Sequence, residues 1–141
     1  MCNFNEFLKT GSIGFLKLGK SLQDLVLILG EPQLIAKNKS FEIVKYNDIE
    51  VTSKNGLINQ IKVSPGKNMT RIPKQLSRRP WSVTKFTTIE ELLDLFHDAK
   101  TSWKIHKSLT FDRQLCIVTE KEVSVFFDLD CRELESLFIS Q

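Results

Sequence analysis

The chain has 141 residues, 41% of them hydrophobic and 26% charged, with a formal net charge of +3. That length suits one ordinary domain and can bury a core without metals or disulfides. The composition excludes a disordered chain, no apolar run approaches the roughly 18 residues that span a bilayer, and an odd, irregularly spaced cysteine set (Cys2, Cys116, Cys131) excludes a disulfide framework.

The first residues, Met1-Cys2-Asn3-Phe4-Asn5-Glu6, lack the basic and apolar segments of a secretory signal. Three free thiols suit a reducing compartment, so a cytoplasmic location is the expectation. The charge is uneven. Residues 1–80 carry 13 Lys or Arg against 6 Asp or Glu, and residues 81–141 carry 7 against 11. No acidic residue occurs from Val51 to Ile89.

Phe4, Phe7 and Leu8 fall at i, i+3 and i+4 and predict a short helix ending near Gly11. Phe15 to Leu18 reads as a minor strand. Ser21 is an N-cap candidate, and Leu22, Leu25, Val26 and Leu29 form one apolar stripe. Gly30 is expected to take the left-handed position after this helix, and Pro32 blocks its continuation. Strands are predicted over 41–46, 49–53 and 57–63, with Asn55-Gly56 as a tight hairpin turn and a possible further strand over 33–37. Residues 64–84 hold three of the four prolines and read as a basic connector.

The pattern then restarts. Thr88 and Glu91 fit a capping box, and Ile89, Leu92, Leu93 and Phe96 repeat the stripe. Strands are predicted over 102–107, 114–119, 122–127 and 134–140. The helix residues of the first half map onto the second at one constant offset, and Ile58, Ile61 and Val63 share their spacing with Leu134, Leu137 and Ile139. The expected fold is therefore α+β. It comprises two tandem units of a helix and an antiparallel meander (about 15–63 and 85–140), with helices on one face of two sheets or of one continuous sheet.

Nothing in the sequence points to catalysis or to a metal or other cofactor. His97 and His106 are the only histidines, and no Cys-x-x-Cys or His-x-x-x-His spacing occurs. His97 is expected to end the second helix. His106 should face outward from its strand, and only its adjacency to Cys116 suggests a thiol–imidazole pair. The acidic groups Glu90-Glu91 and Asp128/Asp130 fit a helix start and a turn.

The candidate partner-binding residues are Tyr46, Trp81 and Trp103, flanked by Arg78 and Arg79 on one side and Asp128 and Asp130 on the other. Interfaces favour such aromatic residues and arginines. Trp81, following Pro80 in the connector, is the one expected at the surface. Trp103 alternates with Ile105 and would turn into the core. The same connector offers phosphate contacts and a stacking ring to a nucleic acid.

The segments Leu18-Gly19-Lys20-Ser21, Leu29-Gly30-Glu31-Pro32, Tyr46 to Val51 and Asn55 to Val63 resemble the helix-plus-meander unit of the beta-lactamase inhibitor protein superfamily. The chain also resembles small immunity proteins from bacterial polymorphic-toxin neighbourhoods. In the second half His97 stands where Gly30 stands in the first, and no proline matches Pro32. The resemblance implies an inhibitor that binds a cognate toxin through an exposed sheet face and loops, with no catalytic residues to carry over; the lack of an apolar span argues against a membrane. The alternative is a nucleic-acid-binding or adaptor module using the connector.

Overall fold

The computed structural model describes residues 3–141, so Cys2 lies outside the described residues. Helix α1 spans Phe4–Thr10. The Asn3 side chain accepts from the Glu6 N–H at its start, and Gly11 ends it in the left-handed conformation at φ 72°. Helix α2 spans Leu22–Leu29, capped by Ser21. Gly30 differs from expectation. Its φ is positive, 85°, but its ψ is −165°, so the chain leaves the helix extended rather than in a left-handed turn. Strands β1 (Leu34–Lys37), β2 (Phe41–Tyr46), β3 (Ile49–Lys54) and β4 (Leu57–Val63) follow. Between β3 and β4, Asn55 and Gly56 both take positive φ, as the tight turn requires. The 15–18 run is not a strand; a single bridge joins Ile13 and Leu16.

Helix α3 spans Ile89–Asp98 behind a complete Thr88/Glu91 capping box. Strands β5 (Trp103–Ile105), β6 (Gln114–Thr119), β7 (Ser124–Asp128) and β8 (Glu133–Ser140) complete the chain. β5 stops earlier than predicted because residues 107–109 wind into a short 3-10 turn. β7 starts later because Glu122 adopts positive φ, 65°, in the preceding turn.

All eight strands form one open antiparallel sheet in the order β1-β2-β3-β4-β8-β7-β6-β5, and the fold is α+β. Each half runs helix, then four-stranded meander, and the two meanders meet where β4 pairs with β8. Strand register sorts the side chains into two faces. Ile49, Val63, Leu137, Val125 and Ile117 fall in one row across the sheet. Each is at most 2% exposed, and they share one core with Phe7, Leu25, Leu92 and Phe96 of the three helices. The helices therefore cover a single face. No helix is long and apolar enough to cross a membrane, among the described residues.

Candidate functional site

The connector is not a solvated loop throughout. Lys67, Arg71, Lys74, Arg78 and Arg79 are exposed, but Pro65, Thr70, Ile72, Leu76, Trp81 and Val83 between them are buried. Thr70 and Trp81 exchange two backbone hydrogen bonds of 2.9 Å, which close residues 70–81 into a loop. The Thr70 hydroxyl donates to the Val83 carbonyl at 2.7 Å, and Asp48 accepts from the Arg71 N–H at 2.6 Å.

This closure corrects the expected exposure of Trp81, which is only 3% exposed. Its ring stacks on Phe7 at 5.5 Å and meets Phe4 edge-on at 5.4 Å. The partners come from α1, far away in sequence. Trp103 reverses its expectation in the other direction. Register does place it on the helix-bearing face beside Ile105 and Thr119, but β5 is the outermost strand, beyond the reach of the helices. Trp103 is 43% exposed and Ile105 50%.

Tyr46 is also unsuited to contact a partner. It is buried, and its hydroxyl donates to the Gly30 carbonyl at 2.6 Å, tying β2 to the end of α2. Burial pushes its pKa up, so the phenol remains protonated as a donor. Asp128 caps its own turn, accepting from the Asp130 and Cys131 N–H groups at 2.8 and 3.2 Å. Those bonds hold its carboxyl below its ordinary value. The unfolded chain therefore holds the proton more tightly. The stabilising effect is present above the usual carboxylate range and is lost as pH falls through the depressed value. A carboxyl-detected NMR titration should give Asp128 a midpoint below about 3.9, and a midpoint at or above it would contradict the capped turn. Asp130 is exposed and ion-paired to Arg113 at 2.7 Å.

Arg78, Arg79 and Trp81 do come together. They line one cleft of about 630 Å³ with Phe4, Asn5 and Leu95. Tyr46, Trp103, Asp128 and Asp130 are not part of it.

An exposed sheet face was expected, but the helix-free face holds none of the candidate aromatic anchors Tyr46, Trp81 and Trp103, so its residues went unnamed. One register row runs Leu34, Lys45, Glu50, Lys62, Phe138, Ser124, Val118 and Lys104 across all eight strands. At its centre Phe138 packs edge-on against Phe126 at 5.5 Å. Lys62 Nζ lies 5.4 Å from the Phe138 ring and 3.7 Å from Glu50. Phe41 and Ile43, each 38% exposed, extend this face toward β1. The available signal was a set of aromatics, Phe41, Phe126 and Phe138, at the outward parity of their strands.

His97 is exposed in the last turn of α3. His106 is half-buried just after β5, with Nδ1 3.1 Å from the Ser108 hydroxyl oxygen. Its N–H donates to the Cys116 carbonyl at 2.9 Å, so the adjacency to Cys116 is a backbone contact. Cys116 is fully buried, and burial pushes its thiol pKa up, which disfavours the thiolate. Among the described residues no three His, Cys, Asp or Glu side chains gather where they could hold a metal ion. No protein-family model, no curated protein and no solved structure matches this chain.

Proposed function

We propose that the protein is a binding inhibitor of the immunity type, holding one partner protein, a cognate toxin, against the helix-free face of its sheet. The observation that carries the reading is that eight strands present one uncovered face. That face places Phe41, Ile43, Phe126 and Phe138 among Lys45, Lys62 and Lys104, with Glu50 as the acid between the lysines of the central row. Aromatic anchors ringed by polar side chains are what protein interfaces are built from. Within that row the lysines outnumber the acid, which suits an acidic partner surface. The resemblance to immunity proteins supports the same class, and free thiols at Cys116 and Cys131 fit a cytoplasmic setting.

The test is a binding measurement with the toxin domain encoded beside this protein. Phe138→Ala should weaken binding by about 2 kcal/mol or more, and Lys104→Glu should slow association, with the fold retained in both. Unchanged affinity in both variants would remove the open face from the reading. A parallel titration with single-stranded and duplex nucleic acid addresses the adaptor alternative. Strongly salt-dependent nucleic-acid binding without any protein partner would replace the inhibitor reading.

A further inference from the structure

The cleft between α1 and the closed 70–81 loop is separate from the helix-free sheet face, and its chemistry is of a different kind. Its volume, about 630 Å³, falls within the range of small-molecule sites, roughly 300–1,000 Å³. Phe4, Trp81 and Leu95 give it an apolar wall, while Asn5, Arg78 and Arg79 bring polar side chains to it. No acidic side chain is among the described residues that line it. Neither arginine belongs to an ion pair among the described residues.

Trp81 supplies an independent observation. It is 3% exposed, yet its indole Nε1 has no hydrogen-bond partner among the described residues. A buried donor left unmade is costly, and native structures retain few of them. An indole nitrogen can only donate. The group that would satisfy it is an acceptor, and the two guanidinium groups that line the same cleft favour an acceptor with negative charge.

We propose that this cleft binds a small ligand in which an anionic head, carboxylate or phosphate, is joined to a flat apolar body. Arg78 and Arg79 take the head, Trp81 Nε1 donates to an acceptor atom, and the body lies along Phe4 and Leu95. The proposal is independent of the partner protein.

The ring concerned is its own reporter. Trp103→Phe leaves Trp81 as the single tryptophan of the full chain. Its fluorescence is then titrated with adenosine 5′-monophosphate, with indole-3-acetate (read by displacement or calorimetry because it fluoresces itself) and with inorganic phosphate. At least one of the two aromatic anions should bind saturably, and more tightly than inorganic phosphate. Arg78→Ala combined with Arg79→Ala should weaken that binding by at least about tenfold, the loss of one charge-assisted hydrogen bond, with an unchanged thermal midpoint. Trp81→Phe, assayed by calorimetry, should weaken it too while keeping the ring. The proposal fails if neither aromatic anion binds at millimolar concentration. It fails equally if phosphate alone binds as tightly, or if the double arginine variant binds like the parent.

Discussion

Trp81→Ala should destabilise the protein by about 3–5 kcal/mol, the usual cost of emptying a large buried aromatic site. The ring is 3% exposed and wedged between Phe4 and Phe7. Removing it leaves a cavity in the seam that joins α1 to the connector. The backbone there cannot collapse freely, because Thr70 and Trp81 hold each other through two hydrogen bonds and the Thr70 hydroxyl is committed to Val83. The partial collapse of such sites is what makes the cost exceed the transfer free energy of the side chain. Equilibrium denaturation monitored by circular dichroism measures the loss, and Trp81→Phe should recover part of it. The sequence alone predicts the opposite, a ring at the surface that the fold would not miss. A wild-type denaturation midpoint for Trp81→Ala would restore that expectation and remove the packing described for α1.

The contrast between Trp81 and Trp103 shows where sequence reading stops. Local chemistry was legible. Ser21 and Thr88 cap their helices as expected, Asn55-Gly56 turns the hairpin, and the stripes of Leu22/Leu25 and Leu92/Phe96 are buried. These depend on residues within a few positions of one another. The pairing of β4 with β8 is different. It joins strands from the two halves, and nothing in either strand's pattern names its partner. The same holds for burial of Trp81, which depends on α1, and for exposure of Trp103, which depends on β5 being outermost. Alternation in Trp103-Lys104-Ile105 gave the correct face, but a face is covered only as far as the helix layer extends. The connector looks like a basic loop in sequence because its charges are conspicuous. The apolar residues between them, Ile72, Leu76 and Val83, have no regular period, and they are buried by the hydrogen bonds that close the loop. For the open sheet face the reading was incomplete for another reason. Phe126 and Phe138 look like core residues in sequence, and only strand register assigns them to the side without helices.

Leu92→Ala should cost more than Leu25→Ala, although the two occupy equivalent places in the apolar stripes. Both lie in the range of about 2–5 kcal/mol for buried leucines. Leu92 is completely buried, and so is Phe96 one turn further along the stripe. Its helix carries a full capping box and buries that large ring beside it, so the surroundings are well filled and fixed. Leu25 is 3% exposed and belongs to a helix whose other side is open, with Leu27 76% and Ile28 51% exposed. A helix contacting the rest of the molecule along one side can shift to close part of the void, and the cost of a cavity falls with the volume that remains. The expected order is therefore a loss in the upper half of that range for Leu92→Ala and in the lower half for Leu25→Ala. Urea unfolding of the two variants, with the same denaturant slope in each, compares them directly. An equal or reversed order would mean that α2 is held as rigidly as α3, and that its exposed leucine and isoleucine do not reflect a looser seat on the sheet.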